Sequence, residues 1–119
     1  METATKDRWK ILPLPVEREN FSLDIVFSNG EAERVKRGNI PEEMGDRWFI
    51  YFDEGWLYFH RSWTGACIFG VKLDVIPAGL KASNCWVSRV QDQYSSRDLE
   101  ADRQTLSRLI GSYFLTGSQ

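Results

Sequence analysis

Histidine occurs once in this chain and cysteine only twice. His60 has no second histidine beside it, and Cys67 and Cys85 stand alone without ligand-spaced partners. Zinc sites need several ligands at short recurring spacings, so these residues do not form one on paper. Both cysteines read as small buried hydrophobes. No metal and no cofactor is expected. Long apolar runs are also missing. The longest is Trp48 to Phe52, far short of the ~20 residues that span a bilayer. The opening residues, Met1 to Lys10, are polar and charged, and no apolar signal segment follows them. A membrane is therefore not an expected partner, and a cytoplasmic location follows by default.

An excess of one charge is missing too. The chain carries 15 basic and 17 acidic residues, a formal charge of -2. A near-balanced chain has no general attraction for nucleic acid, which is not expected as a partner. A local basic patch stays open. The sequence contains no Gly-x-Ser-x-Gly elbow, no glycine-rich phosphate loop and no Cys–His pair at a known catalytic spacing. No repeat, linker or low-complexity segment divides it. Its 119 residues and 42% hydrophobic content suit one domain with one core.

What is present is mostly strand. Phe21, Leu23, Ile25 and Phe27 alternate with other residues, the period-2 pattern of a strand with one buried face. Asn29-Gly30 then suits a tight turn. Glu31 to Lys36 reads as an antiparallel return, either an edge strand or a loop. Asn39 before Pro41-Glu42-Glu43 suggests a single helical turn. Trp48–Phe52, Trp56–Trp63, Cys67–Ile76 and Cys85–Val90 supply the remaining strands. Ser95 or Ser96 reads as a helix N-cap, with Asp98 at capping-box spacing from Ser95. Leu99, Leu106, Leu109, Ile110, Tyr113 and Phe114 follow at helical spacing, and Gly117 serves as a stop. The charged residues Arg97, Glu100, Arg103, Gln104 and Arg108 fall on the wet side. The expected fold is α+β: a mostly antiparallel sheet of about five strands with the C-terminal helix packed on one face.

Register sets which residues share a face. A two-residue Thr64-Gly65 turn pairs Ser62 with Cys67, His60 with Phe69, Tyr58 with Val71 and Phe59 with Gly70. A three-residue loop of Asp53-Glu54-Gly55, with Gly55 in the left-handed position, pairs Ile50 with Tyr58 and Trp48 with His60. This reading is preferred over a two-residue Glu54-Gly55 turn, because glycine alone takes that conformation without steric cost. It gathers Trp48, Ile50, Phe52, Trp56, Tyr58, Phe69, Val71 and Leu73 on one apolar face. The other face carries Arg47, Phe49, Tyr51, Leu57, Phe59, Arg61, Ile68 and Lys72. That second face is either covered by the Phe21–Phe27 strand and loops, or it is a binding surface.

The candidate site residues are Arg47, Tyr58, His60, Arg61, Ser62, Trp63 and Thr64. Arg47 and Arg61 are placed as cross-strand neighbours, where like charges repel unless an anion lies between them. That anion is a protein carboxylate (Glu42, Glu43, Asp46 or Asp74) or a bound phosphate or carboxylate, for which the arginine fork is well shaped. His60 is either a hydrogen-bonded core histidine or a proton-exchanging group in a pocket. Ser62 and Thr64 satisfy turn backbone or touch a ligand. The tryptophans serve as core material or as interface anchors.

The run Arg47 to Phe52, followed by Gly55 to Gly65, resembles a small bacterial domain with a Tyr-Phe-His-Arg-Ser-Trp-Thr-Gly signature. Similar segments accompany ADP-ribosylglycohydrolase-like proteins. The resemblance implies a nucleotide or ADP-ribose context by association and carries no catalytic assignment. Three readings of function stand. The first is a binding or accessory domain for an anionic, nucleotide-like small molecule. The second is a small hydrolase on a nucleotide or ADP-ribose derivative, with His60 as acid–base and Arg61 holding phosphate. The third is a protein-binding module, such as an immunity or regulatory partner.

Overall fold

The computed structural model describes residues 2–115. The chain runs β1 (Arg18–Ser28), α1 (Asn29–Arg37), β2 (Trp48–Asp53), β3 (Trp56–Arg61), β4 (Cys67–Ile76), β5 (Gly79–Ser88) and α2 (Leu99–Tyr113). The five strands form one antiparallel sheet in the order β1-β5-β4-β3-β2. The expected α+β class and C-terminal helix are present. Gly117, the expected helix stop, lies outside the described residues.

The largest departure from the sequence reading is α1. Glu31 to Lys36 is helix, not a returning strand, and Asn29-Gly30 begins it. Ser28 and Glu31 form a reciprocal capping box. Ser28 Oγ accepts from the Glu31 N–H at 3.2 Å, and Glu31 Oε1 accepts from the Ser28 N–H at 2.8 Å. Two orphan donors of the first turn are thereby satisfied. Ala32 and Val35, one turn apart, bury against the sheet. The helix carries the chain from one sheet edge to the other, so β1 and β2 are opposite edges. Residues 43–45 form a bend and turn, not the expected helical turn.

The first hairpin is the tighter of the two alternatives. Ile50 pairs with Phe59 and Trp48 with Arg61 across a two-residue Glu54-Gly55 turn. Both turn residues are left-handed, Glu54 at φ 51 and Gly55 at φ 87. That is the geometry whose twist matches the flanking strands, and it outweighs the cost at glutamate. A one-residue slip exchanges the two faces of a strand. Leu57, Phe59 and Arg61 therefore lie with Trp48 and Ile50, while Tyr58 and His60 lie with Phe49 and Tyr51. In the second hairpin Tyr58 pairs with Gly70 and His60 with Cys67, across an irregularity after Phe59. Thr64-Gly65 is thus the end of a longer Ser62–Gly65 loop.

The main core lies between one sheet face and both helices. It joins Phe27, Ile50, Phe59 and Phe69 to Val35 of α1 and to Leu106, Ile110 and Phe114 at α2. Leu109 and Tyr113, which share the helical spacing of these residues, are only partly buried. Asp98 caps α2, accepting from the N–H groups of Glu100 and Ala101. The cap is therefore neither Ser95 nor Ser96, and the Ser96 hydroxyl instead donates to Asp102 Oδ1 at 2.7 Å. Buried Asp102 also accepts from Tyr94 Oη at 2.8 Å and pairs with Arg89 at 2.8 Å. This network ties α2 to the end of β5. Among the described residues no helix is long and apolar enough to cross a membrane.

On the opposite face the N-terminal segment, not β1, covers Phe49 and Tyr51 with Ala4, Trp9 and Ile11. Trp86, not Phe59, covers Gly70, its partner on β5. A Cβ at position 70 would sit 2.3 Å from Trp86 Cε2. Gly70→Ala should therefore cost about 1–3 kcal/mol by overpacking. Most of that cost should vanish in a Trp86→Leu background. Equal costs in the two backgrounds, by chemical denaturation, would show that the indole does not restrain this position.

Candidate functional site

The Ser62–Gly65 loop is held from three directions. Ser62 donates its N–H to Arg47 O at 2.8 Å and its hydroxyl to Asp46 O at 3.1 Å. Trp9 Nε1 donates to Ser62 O at 2.9 Å, and the Leu12 N–H donates to Gly65 O at 2.9 Å. Thr64 Oγ1 accepts from the Ala66 N–H at 3.2 Å, a local turn bond. The loop is thus fastened to the strand start at Arg47 and to the N-terminal segment. Its one exposed apolar side chain is Trp63, 66% exposed, whose indole N–H donates to Met44 O at 3.2 Å.

The register sets Arg61 opposite Trp48, not opposite Arg47, so the two arginines are not the cross-strand neighbours expected from sequence, yet both border the hollow beside Trp63. The Arg47 guanidinium lies 5.7 Å from the Trp63 ring centroid, and that of Arg61 lies 5.4 Å from the Trp48 ring. Arg47, Arg61, Trp63 and Thr64 line a hollow of about 130 Å³. Neither arginine has an ion pair among the described residues. The carboxylates considered as partners are engaged elsewhere or stand apart. Asp46 accepts from Tyr113 Oη at 2.6 Å and from Asn39 Nδ2 at 3.1 Å. Asp74 lies 3.9 Å from Lys72. Glu42 and Glu43 line a second, larger hollow of about 290 Å³ with Trp9, Met44 and Trp63.

No known family model matches the chain, and no curated protein or solved structure matches it. The functional reading rests on the geometry of the residues themselves.

Tyr58 and His60 fall on the other face of β3. His60 is fully buried, with its ring stacked 5.6 Å from Tyr51. Its Nδ1 lies 2.8 Å from Gly65 O, which can only accept, so Nδ1 carries the proton. Nε2 has no protein partner among the described residues. Burial holds the imidazole pKa below its ordinary value, against the opposing effect of the Gly65 bond. His60 is therefore a neutral core group, and it packs the loop from beneath. Tyr58 is half-buried between Tyr51 and Trp86, and its phenol is pushed up by burial. Neither thiol is poised for nucleophilic work. Burial raises that of Cys67 strongly and that of Cys85 to about 12.

The seven residues picked from sequence thus divide. Arg47, Arg61, Trp63 and Thr64 meet at one hollow, Ser62 braces it, and Tyr58 and His60 stand behind the sheet. Sequence reasoning missed Trp9 and Met44. Both come from irregular segments with no periodic signal, so nothing in the chain's patterning pointed to them. Chemically, the hollow offers two forked cations beside an aromatic surface, an arrangement suited to a phosphate or carboxylate.

Proposed function

We propose that the chain is a non-catalytic binding or accessory domain for an anionic, nucleotide-like small molecule, held by Arg47, Arg61, Trp63 and Thr64. The observation that carries this reading is that two arginines line one hollow and neither has an ion-pair partner among the described residues. Two cationic side chains lining one small hollow favour an anion between them. The resemblance of the Tyr58–Gly65 string to segments accompanying ADP-ribosylglycohydrolase-like proteins points to the same ligand chemistry. The hydrolase reading draws less support, because His60 is buried behind the sheet and cannot share a substrate with Arg61. The protein-partner reading draws on Trp63 and on Met44, 74% exposed. Tryptophan and arginine are the residues enriched at binding hot spots.

The test is a thermal-shift screen with pyrophosphate, ADP-ribose and mononucleotides. A ligand at a hundredfold excess over its Kd stabilises the fold by about 2.7 kcal/mol. Arg61→Gln should remain folded and lose at least about tenfold in affinity for the anion found, since charge-assisted bonds contribute ~1.5–3 kcal/mol. Arg61→Lys should recover only part, because it keeps the charge without the fork. Unchanged affinity in Arg61→Gln, or no shift with any anion, would remove the proposal.

A further inference from the structure

We infer that Trp63 is the centre of a two-ended groove whose ligand is a guanine nucleotide. Its phosphate lies on the Arg47–Arg61 side, and its base lies on the Trp9–Met44 side with its N–H edge toward Glu42 and Glu43. The inference rests on the anion-binding reading above and adds the chemistry of the other half of the ligand.

Trp63 is the first observation. It is 66% exposed although its single polar atom is already bonded to Met44 O. Water is therefore not needed to satisfy the indole N–H, and a large apolar surface is left open. The same bond holds the ring in place before any ligand arrives, which lowers the cost of binding. The second observation is that this ring borders both hollows, the cationic one of about 130 Å³ and the larger one of about 290 Å³. The smaller lies below the ~300 Å³ of ordinary small-molecule pockets. It is sized for one anionic group, and the rest of a ligand must extend across the indole. The larger hollow has walls from Trp9, Pro41 and Met44, which suit a flat apolar ring.

Charge is the third observation. Glu42 and Glu43 line the larger hollow, and Arg47 and Arg61 the smaller. Among the described residues none of the four has an ion pair. Acidic and basic side chains thus line two hollows that share one indole, with no ion pair between them among the described residues. The complement is a molecule with an anion at one end, hydrogen-bond donors at the other and an aromatic plane between. Among the common bases, guanine places two adjacent donors on one edge, N1–H and the 2-amino group, matching the two oxygens of a carboxylate. Adenine sets its amino group beside a ring-nitrogen acceptor, which repels a carboxylate. Hypoxanthine keeps N1–H and lacks the amino group.

Calorimetric titration of the full chain with ribose 5-phosphate, GMP, IMP and AMP tests this. GMP should bind at least about tenfold more tightly than IMP or AMP, the discrimination expected of a bidentate base contact. Glu42→Ala with Glu43→Ala, both at exposed positions, should reduce GMP to the level of IMP and leave ribose 5-phosphate unchanged. Arg61→Gln should weaken all four. Equal binding of GMP, IMP and AMP, tighter binding of AMP, or discrimination that survives the double alanine variant would overturn the guanine assignment alone. So would ribose 5-phosphate binding, sensitive to Arg61→Gln, with nucleotides no tighter. Failure of all four probes to bind would overturn this inference together with the anion site.

Discussion

Asp102→Asn is expected to cost about 3–5 kcal/mol of stability, the penalty for breaking a buried ion pair by removing one partner. The substitution keeps the size of the side chain and removes its charge. Asp102 is 1% exposed and Arg89 13% exposed at the side chain, so little water is at hand to solvate what remains. Its one remaining charged partner would be Glu19, whose side chain is 47% exposed, and exposed pairs contribute little; beyond that the guanidinium would keep a bond to Ser96 O at 3.2 Å. An asparagine amide has a single acceptor oxygen, so it cannot accept from the guanidinium and both hydroxyls as the two carboxylate oxygens do. The loss falls at the first turn of α2, where Tyr94 and Ser96 converge on the same carboxylate. Replacing both partners, Arg89→Met with Asp102→Leu, should cost much less than Asp102→Asn, because no uncompensated charge is left inside. Urea unfolding of the three proteins decides it. A loss below about 1 kcal/mol in Asp102→Asn would show that the pair is solvated and does not anchor the helix.

This network had no signature in the sequence. Asp102 sits on a helix whose Glu100 and Arg108 are exposed, while Arg103, expected on the wet side, lies over Phe21 of β1, and nothing in Asp102's spacing separates it from Glu100. Its burial depends on β5 ending where Arg89 can reach α2. The alternating apolar residues of β1 and the leucine spacing of α2 did mark those elements, because one-sided burial imposes a period, whereas β2 and the start of β4 are apolar runs buried on both faces. β3 shows where that fails. Trp56-Leu57-Tyr58-Phe59-His60-Arg61 is apolar on both faces, so its pattern cannot choose a register, and turn geometry decided it. Preferring a loop with glycine alone left-handed overlooked that Glu54 can take the same conformation. For α1 the signal was present in Ser28 and Glu31 at capping-box spacing, but the helix buries only Ala32 and Val35, too few to show a period. At the site, the string Arg61 to Thr64 was visible as a cluster. That its arginines lack carboxylate partners among the described residues was not, because Asp46 is claimed by Tyr113, a residue 67 positions away.

Leu106→Ala is expected to cost about 2–5 kcal/mol, with the value in the upper half of that range. Leu106 is fully buried in the main core, midway along α2. Truncation removes its transfer energy and leaves a cavity, and the total depends on how far the surroundings can close it. Here closure is resisted at both ends of the helix. The first turn is fixed by Asp102 to Arg89, and the last by Tyr113 Oη donating to Asp46 at 2.6 Å. A helix pinned at two points cannot slide toward the sheet to fill a gap between them, and the sheet beneath is hydrogen-bonded across all five strands. Leu109, only partly buried on the same helix, provides the control. Its truncation removes less buried surface and leaves a site open to water, so Leu109→Ala should cost clearly less than Leu106→Ala. Denaturation curves with unchanged slope would confirm that both values report the native state. A Leu106→Ala loss under about 0.5 kcal/mol, the level of an ordinary surface substitution, would mean that α2 does not cover this core. Equal losses at 106 and 109 would mean that the helix is rotated from the orientation its burial pattern shows. If Asp102→Asn is combined with Leu106→Ala, the pinned-helix argument predicts a total smaller than the sum. Releasing the first tether lets the helix settle into the cavity, and the shortfall measures how much of the cost came from the void being held open.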